Sequence, residues 1–298
     1  MLPNRLLALV LVMLPATAPG HNDVSETIKA LSAQIKDAPN AGLYYQRATE
    51  FRAIRENKHA IEDLLSALKL EPKNRLATIA LIQLLGPTER SLKLIKHYAD
   101  FAQDREQQFE ASFLLAKYYL ETDMAPAALS LCEGLQKLRP NRDPALDLLH
   151  AKTHLRLNQP DKASLVLKTA WQHTDSIVLR NNWIDTALTA GLTREVLPII
   201  NEEISSSRFR SSWLIRRARA AFIHDDKEQA RSDLRAALAE LTPRIRTDRP
   251  DLTLIADRGL IHALLGQTAE ARADLAVLKK STLSPSSYRL LTEALARD

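Results

Sequence analysis

Glycine, cysteine and aromatic residues are all scarce in this 298-residue chain. It contains 7 glycines and 1 cysteine, and aromatic residues make up 5% of it. So little glycine excludes collagen-like and linker-rich chains, and it argues against most β-rich folds and against glycine-rich phosphate loops. The single thiol, Cys132, excludes an intrachain disulfide and a thiolate metal site. We expect Cys132 to be a small buried apolar side chain rather than a nucleophile.

Good helix formers fill the chain instead. Apolar residues make up 45% and charged residues 26%, which is ordinary for a globular protein with a buried core. Alanine, leucine, arginine and glutamate are frequent, and all four favour helices. The formal net charge is +5, which indicates either a solvated helical surface or a modest preference for acidic partners.

Residues 1–20 have the layout of a secretory signal peptide. Arg5 lies in a short basic start, residues 6–14 form an unbroken apolar run of nine, and small residues up to Gly20 follow. We place cleavage after Gly20; the alternative is an uncleaved N-terminal helix. The run is shorter than the roughly 20 residues that a membrane span requires. The sequence therefore predicts a secreted or periplasmic protein with no integral membrane span after cleavage.

A period near 34 residues organises the rest of the chain. From Ala41 onward, small or aromatic residues occupy positions 4, 8, 11, 20 and 27 of the period, and Pro72 occupies position 32. The position-20 alanine recurs at intervals of 68, 35, 67 and 41 residues, at Ala60, Ala128, Ala163, Ala230 and Ala271. The two double intervals predict degenerate units at 75–108 and 177–210. The regular units begin at Ala41, Phe109, Pro144, Ser211 and Leu252.

This spacing resembles the tetratricopeptide repeat. The resemblance implies an all-α fold, a right-handed superhelical solenoid of about seven helical hairpins over residues 41–280. Small residues at positions 8 and 20 would let the two helices of a hairpin approach closely, and neighbouring hairpins must stack to bury their apolar faces. We expect capping helices at both ends, within 21–40 and 281–298. A polar insertion bounded by Pro243 and Pro250 precedes the last unit.

The resemblance also implies where a ligand would bind, because ligands of this family usually contact positions 2, 5, 6, 9, 12 and 13 of each first helix. These positions predict a partner-binding groove lined by Tyr45, Gln46, Thr49, Arg52, Phe113, Lys117, Lys152, Arg156, Arg216, Arg219 and Phe222, with Leu114, Leu148, Ile215, Asp257 and Leu260 beside them. The charged members are mostly positive, which suits a protein segment with acidic and apolar residues.

Two further expectations follow for this groove. Reversal of Arg216 and Arg219 to glutamate should abolish partner capture and leave stability unchanged. The Lys/Asn carboxylate clamp of chaperone-tail binders is not matched, because Tyr45 and Thr49 occupy two of its positions.

Three polar residues share one predicted helix face. His150 and His154 are four residues apart and Asp147 precedes them, a spacing that can chelate a metal. No glutamate follows His150, so the zinc-protease motif is absent. The repeat register turns all three toward the second helix, so we expect a partly buried hydrogen-bonded cluster. His21 at a mature N-terminus is a weaker copper candidate. We predict no metal and no cofactor.

No motif of a hydrolase or nucleotide-binding enzyme is present, and we expect the carboxylates to lie on solvated helix faces. The sequence predicts a non-catalytic exported scaffold; the alternative is an accessory subunit of an envelope polysaccharide-synthesis, export or secretion complex. Between Arg208 and Arg249 there are 11 basic and 6 acidic residues. This stretch is either a solvated hairpin or a docking patch for an acidic protein, an anionic glycan or lipid headgroups. Nucleic acid is not an expected partner.

Overall fold

The computed structural model describes residues 21–138, 143–281 and 286–296. The predicted signal peptide, residues 1–20, lies outside this part of the chain. The described residues form 16 α-helices and no β-strand, so the all-α prediction is confirmed. None of these helices is both long and apolar enough to cross a bilayer.

The chain forms two compact units that divide after Thr122. The first unit contains α1 (His21–Asp37), α2 (Ala41–Ala53), α3 (Asn57–Leu70), α4 (Arg75–Leu85), α5 (Glu89–Phe101) and α6 (Arg105–Glu121). The second unit contains α7 (Ala125–Leu138), α8 (Pro144–Arg156), α9 (Pro160–Thr174), α10 (Ile177–Thr189), α11 (Thr193–Ser206), α12 (Ser211–Ile223), α13 (Lys227–Leu241), α14 (Leu252–Leu264), α15 (Thr268–Leu278) and α16 (Ser286–Leu295). A short 3₁₀ helix, Thr242–Arg244, lies in the polar insertion.

Consecutive helices pack in pairs within each unit. The first unit contains the hairpins α2–α3 and α4–α5, and the second contains α8–α9, α10–α11, α12–α13 and α14–α15. The segments 75–108 and 177–210, which depart from the repeat pattern, therefore form helical pairs as well. Helix α6 begins at Arg105, four residues before the predicted unit start at Phe109, because the Asp104 carboxylate accepts the backbone N–H of Gln107 at 2.8 Å and caps the helix there.

The small residues of the period are among the most deeply buried. Ala48 and Ala60 in α2–α3, and Ala218 and Ala230 in α12–α13, are at most 1% exposed. An alanine has no side-chain atoms beyond Cβ, so the facing helices can approach closely at these positions. In the degenerate pair α10–α11, Val196 takes the position-20 site and is also fully buried. A modest gain in volume at that site is therefore compatible with the hairpin.

The turn between paired helices confirms the register independently. In five hairpins the residue at position 15 has a positive φ between 55° and 77°: Arg55, Asn158, Gly191, Asp225 and Gly266. Asp123, at the same position after α6, has a φ of 59°. This left-handed conformation ends one helix and redirects the chain into the next. The remaining repeat, 75–108, turns earlier, at Gly86 with a φ of 60°. Its first helix ends at Leu85, as the Gly86-Pro87 sequence predicts.

Three hairpins share an internal ion pair between positions 7 and 23. The pairs are Arg47–Asp63 at 2.7 Å, Arg217–Asp233 at 2.7 Å and Arg258–Asp274 at 2.6 Å. In each, the guanidinium Nε and Nη2 donate to both oxygens of an almost fully buried carboxylate. The expectation that the carboxylates lie on solvated faces is wrong for these residues, because each one ties the second helix of its hairpin to the first.

The last helix, α16, packs against both α14 and α15. Gly259 on α14 makes the close approach possible, because a Cβ atom there would lie 2.8 Å from Cδ2 of Leu291 and 3.0 Å from Cβ of Asp274. Leu291 is fully buried in this contact. The Ser287 hydroxyl also donates a hydrogen bond to the Asp257 carboxylate. These contacts fix α16 beside the first helix of the last hairpin.

Candidate ligand-binding site

The first helices of the second unit line one pocket together with α16. Its volume is about 760 Å³, within the range of ligand pockets. We call it the first-helix pocket, because α8, α10, α12, α14 and α16 supply every lining residue: Lys152, Leu155, Arg156, Asn181, Asn182, Asp185, Thr186, Ser212, Ile215, Arg216, Arg219, Thr253, Asp257, Leu260, Ser287, Arg289, Leu290 and Glu293. The second helices of the hairpins contribute none of them.

Four of the eleven predicted groove residues, Lys152, Arg156, Arg216 and Arg219, meet in this pocket. Lys152 and Arg156 are exposed, and Arg156 lies 3.5 Å from the carboxylate of Asp123. Phe222 does not line the pocket; it is half-buried and packs against the apolar core of α12–α15.

The predicted residues on α2 are dispersed. Tyr45 is half-buried against the core of the first unit, whereas Gln46 and Thr49 are exposed. The Thr49 hydroxyl donates to the backbone carbonyl of Tyr45 at 3.0 Å. Arg52 reaches the side-chain oxygen of Gln83 at 3.4 Å.

The two predicted residues on α6 have different surroundings. Phe113 stacks on Phe109 with 6.4 Å between the ring centroids. Lys117 is exposed, lies 3.8 Å from Glu121 and lines a smaller pocket of about 230 Å³ in the first unit. Their role as partner contacts stays a prediction, as it does for the residues on α2.

Asp185 on α10 is the centre of the first-helix pocket's charge network. Arg216 donates from Nε and Nη2 to its two carboxylate oxygens at 3.0 and 2.7 Å. Arg219 donates from Nη1 to the carboxylate at 2.8 Å and from Nη2 to the Asp185 carbonyl at 3.3 Å. The Arg216 guanidinium also lies 4.8 Å from the ring centroid of Trp213. Both arginine side chains are thereby fixed, and they are 13% and 12% exposed.

This network corrects one expectation from the sequence. Reversal of Arg216 and Arg219 to glutamate was expected to leave stability unchanged, as it would for free groove charges. The structure contradicts this, because two new carboxylates would stand beside Asp185 in a largely buried place. A loss of partner capture in that variant would therefore not separate binding from folding.

Burial and neighbouring charges shift the ionisation of the pocket residues. Burial alone would raise the pKa of Asp185, but the charges and hydrogen bonds of Arg216 and Arg219 hold that pKa below its ordinary value. Burial lowers the pKa of Arg219, against the opposing effect of Asp185. Burial raises the pKa of Asp257, and the hydrogen bond from Ser287 partly offsets that increase.

Similarity to known proteins is found at the level of structure. No protein-family model matches the sequence, and it matches none of the curated proteins. A tetratricopeptide repeat protein from Parabacteroides merdae superimposes with a TM-score of 0.54 and 16% identity, over 74% of this chain and 87% of that one. The chain has the tetratricopeptide-repeat fold. The C-terminal part of a TPR repeat-containing protein from Cytophaga hutchinsonii aligns over 92% of this chain and 95% of its own, with 12% identity and a TM-score of 0.43.

Asp185, Ser287 and Arg289 are among the lining residues that the sequence did not predict. Asp185 occupies position 9 of a degenerate tetratricopeptide unit, where carrying the register through the irregular segment finds it. Ser287 and Arg289 come from α16, to which the repeat pattern assigns only a capping role. Their presence in the pocket follows from the docking of α16 on α14.

The histidine cluster lies inside the repeat stack. Asp147, His150 and His154 are at most 6% exposed, and the two imidazole rings are 4.7 Å apart. His154 Nδ1 is hydrogen-bonded to the Gln159 side-chain oxygen at 3.0 Å, and the Gln136 amide donates to Asp147 at 3.1 Å. The prediction of hydrogen-bonded polar side chains is confirmed for Asp147 and His154, and the cluster is more deeply buried than expected. In the part of the chain that the structure describes, no group of three or more His, Cys, Asp or Glu side chains is arranged to hold a metal.

Cys132 on α7 is fully buried, as expected. Burial raises the pKa of its thiol to about 11, with the Thr153 side chain acting in the opposite direction. A thiol with this pKa is protonated at neutral pH, and protonation and burial both disfavour nucleophilic attack. The side chain of His21 lies outside the described part of the structure.

Proposed function

We propose that this protein is a non-catalytic scaffold that holds a segment of a partner protein in the first-helix pocket. Stacked helical repeats generally offer an extended surface for binding other proteins. The observation that carries the proposal is the composition of the pocket, to which four successive first helices and α16 contribute while the second helices do not.

The lining of the pocket favours a segment with acidic and apolar residues. Five lining residues are cationic and three carry carboxylates, a formal excess of two positive charges. Apolar side chains, including Leu155, Ile215 and Leu290, lie among them. Opposite charge would orient and attract the segment, and the apolar contacts would add to its affinity.

The engagement of the pocket carboxylates supports binding rather than catalysis. Asp185 is held by two arginines, Asp257 accepts a hydrogen bond from Ser287, and Glu293 lies 2.7 Å from the Arg289 guanidinium. A general acid or base has to exchange a proton with its substrate. Carboxylates committed to structural contacts are poorly placed for that.

The N-terminal sequence supports a location outside the cytoplasm. We place the protein in the periplasm or the secreted fraction, and its partner among envelope or extracellular proteins. Cell fractionation and N-terminal sequencing of the mature protein test this. An N-terminus at His21 in the exported fraction is the expected result, and an intact Met1 in the cytoplasmic fraction contradicts it.

Site-specific photo-crosslinking in the full chain tests the scaffold function. A photoreactive residue replaces Asn182, an exposed residue of the pocket, or Lys162, an exposed control on the second helix α9. In cells of the source organism we expect one discrete protein cross-linked at position 182 and little product at 162. Equal products at both positions, or none at 182, would contradict the proposal.

A further inference from the structure

The pocket carries more positive than negative formal charge. Its cationic residues exceed its three carboxylates, Asp185, Asp257 and Glu293, by two. Asp185 is shared between Arg216 and Arg219, which are largely withdrawn from water, and the Asp257 carboxylate, which also interacts with Arg216, accepts a hydrogen bond from Ser287. A charge in such a place is costly unless a counter-charge lies close to it, so a further acidic group is favourable there.

The same arginines retain donors for a second acceptor. Arg216 engages Asp185 through Nε and Nη2, which leaves Nη1 free of contact with that carboxylate. Arg219 uses Nη1 and Nη2, which leaves its Nε. Trp213 and Asp185 hold the Arg216 group in place, so little side-chain entropy would be lost when a ligand binds.

A third arginine reaches the pocket from α16. Arg289 lines it with Arg216 and Arg219, and its positive charge lowers the pKa of Arg219 further, after the larger effect of burial. In the isolated chain Arg289 is half-exposed and paired with Glu293 on its own helix. An exposed pair of this kind contributes little to stability and can be exchanged for a better-placed acceptor.

From these contacts we propose that α16 is part of the ligand site, and that Arg289 with Arg216 and Arg219 receives the carboxylate of an acidic side chain from the bound segment. This rests on the proposed scaffold function. One carboxylate offsets part of the pocket's positive excess, and a guanidinium fork matches its two oxygens. Leu290 and Ile215 lie in the same lining and can contact the methylene groups that carry the carboxylate.

Substitutions of Arg289 and Glu293 test the proposal, because they should change peptide affinity in opposite directions. The probe is a hexaglutamate peptide, acetylated and amidated so that only side-chain carboxylates are present, titrated calorimetrically into the full chain. Arg289→Gln should weaken binding by about tenfold, since a charged contact is lost. Glu293→Gln should tighten binding, because it removes the carboxylate that competes for Arg289. Arg235→Gln, an exposed arginine on α13 outside the pocket, is the matched control and should bind like the parent.

The outcomes separate this proposal from its competitors. If Arg289→Gln binds like the parent, or if the peptide does not bind at millimolar concentration, the proposal is wrong. Displacement of the peptide by equimolar inorganic phosphate would overturn it in favour of a site for small oxyanions. Circular dichroism checks that each variant is folded. Replacement of Arg289 should not affect folding, because its side chain is half-exposed. If cross-linking at position 182 is specific but Arg289→Gln binds the peptide like the parent, the proposed scaffold function remains and only the proposed role of α16 is wrong.

Discussion

Asp185 and Arg219 occupy the same position of successive repeats, 34 residues apart, and their side chains are joined by a hydrogen bond of 2.8 Å. Arg216, one turn earlier on α12, grips the same carboxylate with a second guanidinium group. The contact therefore links the first helices of two neighbouring hairpins and at the same time forms part of the first-helix pocket. The proposed binding site and the stacking of the repeats share these residues in the second unit.

Asp185→Asn should lower stability in a pH-dependent way. The Asp185 pKa is depressed in the folded protein, so its ionised form stabilises the fold above the unfolded value near ~3.9, and this contribution is lost as the pH falls through the folded pKa. At pH 7 we expect a loss of about 2 kcal/mol, because two largely buried arginines lose their counter-charge. Urea denaturation measures it. The difference in free energy of unfolding between the variant and the parent should narrow as the pH falls below ~3.9, because the parent then loses the charge of its Asp185 carboxylate.

The control for that experiment is Asp100→Asn, an exposed aspartate on α5. It should unfold like the parent at every pH. The charge network would be contradicted if the difference in free energy of unfolding between the Asp185 variant and the parent stayed constant down to the lowest pH.

Arg217→Met should destabilise the α12–α13 hairpin. It leaves the buried Asp233 carboxylate with only the amide of Gln229, which donates to it at 2.9 Å. We expect a loss of about 2–4 kcal/mol by urea denaturation. Adding Asp233→Leu should recover much of this, since both charges are then gone. Arg235→Met on the exposed face of α13 is the control, and a single variant as stable as that control would count against the internal ion pair.

Gly259→Ala should loosen α16. The new methyl group would lie 2.8 Å from Cδ2 of Leu291 and 3.0 Å from Cβ of Asp274, so the Leu291 side chain or the helix that carries it has to shift. The expected loss is about 1–3 kcal/mol, and Leu291→Ala in the same chain should relieve the clash. Gly134→Ala provides the contrast, because nothing lies within 4 Å of that added Cβ. The Gly134→Ala variant should be more stable than the parent by up to about 1 kcal/mol, because alanine has a higher helix propensity than glycine. Thermal melts that rank the two variants in the opposite order would refute the docking of α16.

Ala218→Leu should overpack the α12–α13 contact, because Ala218 is fully buried at position 8 of its repeat. We expect a loss of about 1–3 kcal/mol in urea denaturation. Ala236→Leu, on the exposed face of α13, should be close to neutral. Similar midpoints for the two variants would show that the register is misplaced.

The repeat architecture could be predicted from the sequence because its steric requirement is local. Ala60 and Ala230 mark places where helices touch, and that constraint recurs at a fixed interval whatever the surrounding residues. The internal ion pairs were missed although their signal is present, since Arg47 and Asp63 recur at the same two positions in two later repeats. They follow from the same register as the small residues, applied to the polar positions.

The pocket could be predicted only in part. Arg216 and Arg219 follow from first-helix positions, but their partner Asp185 lies in a unit whose pattern is weak. Arg289 could not be found by periodicity, because it lies outside the repeats and reaches the pocket through a contact that depends on Gly259. Which charges are free and which are committed depends on side-chain geometry that a repeat pattern does not contain.

We propose that the first helices of the second unit, together with α16, bind a partner segment. The decisive measurement is hydrogen–deuterium exchange of the full chain, alone and in the presence of the partner protein that cross-linking at position 182 identifies. Added protection is expected in α8, α10, α12, α14 and α16, with α9, α11, α13 and α15 unchanged. Protection confined to those second helices would contradict it.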